Sequence, residues 1–152
     1  MKGRRLRIAI ASDHGGFHLK NDIVGLLMEL GYNCHDFGPD TYQDVDYPDY
    51  AAKVADAVAA GDFDRGILIC GTGQGMAMTA NKVKGIRASL CHDVFSARMS
   101  REHNRANVLC LGQRVVGTGL AADITKTWLE ARFSDKERHK RRVGKVMALD
   151  GR

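Results

Sequence analysis

The stretch CGTGQG at 70–75 sets a cysteine directly before three glycines within five positions. A thiolate can accept a proton from carbon, and glycine backbone leaves its N–H groups free to face developing negative charge. Two phosphate loops are excluded by spacing. There is no G-x-x-x-x-G-K-[ST], and a dinucleotide-binding G-x-G-x-x-G should follow the first strand. Two readings of Gly71, Gly73 and Gly75 stand: a tight strand-to-helix turn, or a nest of N–H groups aimed at an anion. Cys70 bears on which anion. A thiolate repels a resting phosphate, whereas a thiol beside an oxyanion hole can take a proton and leave the resulting oxyanion cradled. A helix opening near Gly75 would favour the thiolate. Whether Cys70 is a base or a buried strand-end thiol stays open on spacing alone.

Other reactive groups cluster at the ends of β-rich runs. They are Asp13-His14, Cys91-His92-Asp93 and Gln113-Arg114. Asp13 by itself reads as a helix cap; paired with His14 it reads as a ligand contact. Cys91, His92 and Asp93 read as structural, and His18, His35 and His139 as surface or helix-face residues. Cys34 and Cys110 lie inside apolar runs as small hydrophobes. With no C-x-x-C pair and no zinc-type histidine spacing, neither a disulfide scaffold nor a metal site is expected.

The elements that must position these groups alternate. Strands are predicted at 6–12, 33–37, 66–70, 86–91 and 107–112. Helical patterns fall at 18–31, 49–61, 75–83, 93–103 and 119–133, the first carrying Leu19, Ile23, Leu26, Leu27 and Leu30 on one face. That alternation is the signature of βαβ units. It predicts an α/β fold, a Rossmann-like three-layer α/β/α sandwich on a five-stranded parallel sheet, as one domain over 1–152. The loop 38–48, rich in Asp, Tyr and Pro, is expected to be a mobile surface segment or lid. Segment 134–149 is a C-terminal helical extension. Its thin stripe of Val143, Val146, Met147 and Leu149 suits another surface, such as a partner subunit. In open parallel sheets ligands bind beyond the carboxyl ends of the strands, which is where the reactive pairs fall.

Composition excludes several classes. The 152 residues are 44% hydrophobic and 27% charged, ordinary for a soluble globular protein. No apolar run approaches a membrane span, so no membrane partner is expected. The basic start followed by IAIAS lacks a cleavage site before DHGG, so it reads as a strand and the cytoplasm as the default location. Behind the net charge of +5, basic residues concentrate at the extreme N-terminus and in KERHKRR at 136–142, while acidic DFGPDTYQDVDYPD holds the middle. No nucleic-acid motif accompanies KERHKRR. That basic run is a solvated helix or a clamp for a phosphorylated small molecule.

Together, ASDHGGFHLK, DYPDYA, GILICGTGQGMAMTANKVKGIRAS, SREHNRANVLCLGQRVVG and RHKRRV, in that order, resemble the type B ribose-5-phosphate isomerase family. This wider group includes galactose-6-phosphate and allose-6-phosphate isomerases. The resemblance runs from about residue 6 to 146. It implies interconversion of aldose and ketose phosphates, D-ribose 5-phosphate and D-ribulose 5-phosphate first among them, through a cis-enediolate without metal or cofactor. Cys70 matches the proton-shuttling cysteine. Some members use a glutamate after the glycine loop, where this chain has Met76. Gly71, Thr72, Gly73, Gln74 and Gly75 match the enediolate loop, with the Thr72 hydroxyl an added donor. Asp13 and His14 match substrate contacts, and Tyr47 an aromatic beside the sugar. His103 matches the acid–base that opens the furanose ring, next to the substrate ligand Asn104. Arg138 and Arg142 match phosphate-binding arginines, with Arg114 a third candidate.

One inference comes from topology alone. His103 and Asn104 precede the fifth strand and so belong at the amino edge of the sheet, while Cys70 ends the third strand. A five-residue strand separates those edges by roughly 17 Å. The site is therefore expected to be shared between subunits of a homodimer or a dimer of dimers.

Overall fold

Alternation inside the strands decides the layers. The computed structural model describes residues 4–152. Its strands are β1 Arg7–Ser12, β2 Asn33–Asp36, β3 Arg65–Cys70, β4 Ala88–Leu90 and β5 Val108–Gly112. They form one parallel sheet in the order β2-β1-β3-β5-β4. Ile8 and Ile10, Ile67 and Ile69, and Leu109 and Leu111 share one face. They pack under α1 Phe17–Glu29, α4 Val94–Glu102 and α5 Thr118–Glu130. Ala9 and Ala11, Leu68 and Cys70, and Val108 and Cys110 share the other, under α2 Tyr47–Ala59 and α3 Gln74–Ala80. Both faces are dry, which is why these strands read as near-continuous apolar runs. The predicted three-layer α/β/α sandwich is the observed architecture.

Local differences have physical reasons. The helix expected from residue 49 begins at Tyr47, because Pro48 sits in the first turn, where it lacks no hydrogen bond. The loop expected over 38–48 is shortened accordingly, and Tyr47 belongs to a helix. DHGG forms a 3-10 turn, His14–Gly16, before α1. The extension narrows to α6 Glu137–Met147; its Val146 and Leu149 remain 53% and 57% exposed, so this chain leaves the stripe largely uncovered.

Strand order also locates the crevice. From β1 the chain goes outward to β2, then returns to β3 on the other side of β1 and proceeds toward β5 and β4. The carboxyl ends of β1 and β3 therefore flank the point where the winding reverses, the usual ligand position of such sheets.

Three wholly or partly buried charges, Lys20, Arg65 and Arg101, differ in kind. Lys20 is fully buried in α1, and its Nζ donates to Asp36 Oδ1 (3.0 Å), Asp36 Oδ2 (2.9 Å) and the Pro39 carbonyl (2.7 Å). Trp128, also fully buried, lies 5.4 Å from the Arg65 guanidinium and 6.0 Å from that of Arg101. Such cation–π contacts are worth ~0.5–2 kcal/mol. Withdrawing a guanidinium from water without a counter-ion costs several kcal/mol. Lys20 is satisfied, and the two arginines are not. Removing the Lys20 partner with Asp36→Ala should cost about 3 kcal/mol in urea unfolding. A loss below about 1 kcal/mol would show that water already replaces the carboxylate.

Candidate active site

β3 ends at Cys70, which is 5% exposed. The following loop is held by backbone on both sides. Gln113 N–H donates to the Cys70 carbonyl (2.9 Å) and Arg114 N–H to that of Gly71 (3.0 Å). Gly73 has φ +77°, and a Cβ there would stand 2.5 Å from Leu90 Cδ1 and 2.9 Å from the Leu111 carbonyl carbon. Only glycine meets both demands. In that conformation Gly73 N–H donates to Cys70 Sγ at 3.1 Å, a bond that strengthens when the sulfur is anionic. Thr72 is exposed, and its Oγ1 accepts from Gln74 N–H at 3.3 Å.

The DHGG turn docks onto this loop. Asp13 N–H donates to the Ile69 carbonyl, and Asp13 Oδ1 accepts from Gly16 N–H at 3.1 Å. Asp13 is thus the cap as well as a wall residue; the two readings coexist. A Cβ on Gly16 would fall 2.3 Å from Ile69 O, and one on Gly15 would fall 3.0 Å from Gly71 N. His14 Nδ1 accepts from Val45 N–H at 3.3 Å, which puts the proton of the neutral ring on Nε2. Asp13, His14, Asp46, Tyr47 and Asp49 line a hollow of about 360 Å³. The Tyr47 ring lies against Gly75, 2.6 Å from where a Cβ would stand, and the Arg114 side chain lies over Gly71. Cys70, the loop Gly71–Gly75, Asp13, His14, Tyr47 and Arg114 are therefore gathered at one edge.

His103, Asn104, Arg138 and Arg142 are not. His103 caps the carboxyl end of α4, and Asn104 follows it. Asn104 and Arg142 line a separate cleft of about 510 Å³ with Ile86, Arg87, Val143 and Val146. Val108 pairs with Gly66 and Gly112 with Cys70, so at least ~13 Å of strand lies between the two groups. His139 sits on a helix, one of the two expectations for it, and not on the surface. It is buried at 5% exposure, its ring centroid 4.3 Å from that of His103 and its Nδ1 hydrogen-bonded to Ser134 Oγ. Burial, then the charges of His103, Arg138, Arg142 and Lys136, hold it below the usual imidazole range.

The remaining groups have structural work. Asp93 Oδ1 caps α4 through Ser96 N–H (2.6 Å), and Gln113 Oε1 accepts from Leu19 N–H (2.9 Å) at the start of α1. Burial pushes the Cys34 thiol up to about 11 and raises those of Cys91 and Cys110 as well. Among the described residues no three His, Cys, Asp or Glu side chains are grouped to hold a metal ion. None of the described helices is long and apolar enough to cross a membrane.

The ribose/galactose isomerase family matches residues 8–146. The chain belongs to this family. Ribose-5-phosphate isomerase B of Escherichia coli is 48% identical over 146 residues, covering 96% of this chain and 97% of that one. D-erythrulose-4-phosphate isomerase of Pectobacterium atrosepticum is 46% identical over 129 residues, 84% of this chain and 85% of that one. The solved ribose-5-phosphate isomerase B of Clostridium thermocellum superposes with a TM-score of 0.93 at 54% identity, covering 95% and 97% of the two chains.

In this ribose/galactose isomerase, Gly16 and Gly112 seat the loops beside Cys70 and His139 packs on His103, contacts that sequence spacing does not reveal. A Cβ on Gly112 would come 2.7 Å from Thr72 backbone. The available signal was glycine at successive strand ends. Gly73→Ala should cost about 2–4 kcal/mol in chemical unfolding and displace the N–H from Cys70, whereas Gly117→Ala, where a Cβ meets open space, should be near neutral. Equal losses would refute the close-approach account. For His139 the sign is as follows. A lowered folded pKa makes protonation harder in the folded state, so stability should fall as pH drops below ~6.5 toward the lowered value. His139→Gln should flatten that part of the unfolding-versus-pH curve.

Proposed function

We propose that this chain interconverts D-ribose 5-phosphate and D-ribulose 5-phosphate by proton transfer through a cis-enediolate, in the cytoplasm. The observation that carries the reading is the thiol of Cys70 at a strand end, with Gly73 N–H on its sulfur and a glycine loop beside it. The reaction is redox-neutral: one carbon-bound hydrogen moves from C2 to C1, so once the ring is open a base and an anion cradle meet the chemical requirement. Family membership at 48% identity to an enzyme named ribose-5-phosphate isomerase B supports the substrate.

In this mechanism His103 of the partner subunit opens the furanose, taking the O1 proton and returning one to the ring oxygen. Asn104 of the partner subunit holds the open chain. Cys70 thiolate then removes the C2 proton, and the electron pair moves to form the C1–C2 double bond while charge develops on O1. The loop N–H groups not already bonded to Cys70 Sγ or Thr72 Oγ1, together with the Thr72 hydroxyl, face that charge; each aligned donor is worth roughly 3 kcal/mol. Reprotonation at C1 by Cys70, with the O2 proton passed to O1, gives the ketose. Asp13, His14 and Tyr47 orient hydroxyls. Arg138 of the partner subunit and Arg142 of the partner subunit, one helical turn apart, grip the phosphate as planar forks, with Arg114 near the loop.

Separation of the two residue groups in one chain supports a site shared across a homodimer or dimer of dimers. A second reading concerns sugar length. The relative named for D-erythrulose 4-phosphate favours testing a four-carbon substrate beside five- and six-carbon ones.

Cys70→Ala should abolish ketose formation and solvent-deuterium uptake into substrate carbon, while calorimetric binding of ribose 5-phosphate is retained; turnover by the variant would eliminate the proposed base. Mixing inactive Cys70→Ala and His103→Ala subunits should restore part of the wild-type rate through hybrid sites. No recovery after verified subunit exchange argues for sites complete within one chain.

A further inference from the structure

Arg65 and Arg101 make no ion pair among the described residues, and the one carboxylate that acts on Arg65 besides the cavity wall, Asp64, is already held by Arg4 and Arg7. Arg101 is 7% exposed on α4 and Arg65 opens β3. Arg101 Nη1 donates to the Ala106 carbonyl, but Arg101 Nε and Arg65 Nη1 are sealed from water with no acceptor. Buried cations are ordinarily paired, and the Trp128 ring between these two offers only a π-face.

The two side chains help line a cavity of about 580 Å³, together with Arg132, Tyr32 and Glu130. Three guanidiniums thus oppose one carboxylate around a space of ligand size. Burial raises the Tyr32 phenol, as does Glu130, so it stays a proton donor. Burial, then repulsion from Arg65, Arg105 and Arg87, pulls the Arg101 guanidinium down to about 9. A negative charge nearby would relieve that repulsion. The cavity shares no lining residue with the hollow near Cys70 or with the cleft at Arg142.

We propose that this cavity is a second anion site, taking a small oxyanion of two or more negative charges, phosphoryl or polycarboxylate, between Arg65, Arg101 and Arg132. Planar forks suit either group. The proposal does not depend on the isomerase reading.

The test is calorimetric titration of the full chain with pyrophosphate and, separately, citrate at constant ionic strength. Binding should survive in Arg138→Ala/Arg142→Ala, which removes the other candidate phosphate clamp. It should weaken roughly tenfold or more in Arg65→Met and in Arg132→Met, the loss of one charged donor. Preference for pyrophosphate or citrate then identifies the phosphoryl or the carboxylate source. Arg65→Met should also melt no lower than wild type in anion-free buffer, because it removes an uncompensated charge, and should lose the upward melting shift that the bound anion gives wild type. Absence of binding to wild type, or unchanged affinity in both methionine variants, overturns the proposal. So does an Arg65→Met protein that melts well below wild type without anion.

Discussion

Everything at the carboxyl edge depends on backbone meeting backbone. The loops after β1, β3 and β5 touch through Gly16 against Ile69 O, Gly15 against Gly71 N, and Gly112 against Thr72. Even a Cβ at these positions would push backbone away, by a few tenths of an ångström at Gly15 and by more at Gly16 and Gly112. Contact at this range is what lets the chain after Cys70 turn through Gly73 and return an N–H to the sulfur. The packed sheet beneath is the anvil. With Ile67 to Ile69 and Leu109 to Leu111 fully buried on both faces, the strand ends cannot relax.

The same rigidity keeps the two groups of candidate residues apart. His103 is anchored by its N–H to the Met99 carbonyl and by the ring of His139, and α6 is tethered nearby through Ser134 N–H to the Glu102 carbonyl. No loop adjustment carries these residues past a five-residue strand. If they serve one reaction, association of subunits is part of the active site rather than an addition to it. The uncovered Val146 on α6 and Leu149 just beyond it offer apolar surface for such association.

Legibility in the sequence followed the range of the interactions. Strand faces, helix phases and the Cys70 loop are local patterns, and they were readable with small errors at the ends. Asp13 was readable as either cap or ligand because one carboxylate has two oxygens and can serve both roles. The burial of His139 was not readable because helical spacing says which side it occupies but not what lies opposite; His103 arrives from 36 positions earlier in the chain. Gly16 and Gly112 were passed over because a close approach involves a distant strand, and sequence shows only the glycine. Nothing in the sequence around Arg65 and Arg101 shows what faces them, for the same reason.

The distribution of charge adds a constraint of its own. The hollow near Cys70 is lined by Asp13, Asp46 and Asp49, with Asp44 close to His14 and Arg114 the nearby arginine. A phosphate dianion placed there against one subunit alone meets several carboxylates. The amino edge is the reverse, with Arg87, Arg105, Arg138 and Arg142 around or near His103 and Asn104. Opposite signs at opposite edges would draw the amino edge of one subunit toward the carboxyl edge of another. The phosphate would then sit against arginines, and the carboxylates would be left to the hydroxyl groups, whose protons they can accept. On this account the +5 net charge is neither a nucleic-acid footprint nor a solubility device. Under the shared-site proposal, the amino-edge arginines within that charge would form the phosphate-binding half of a site whose hydroxyl-binding half lies on the opposite edge.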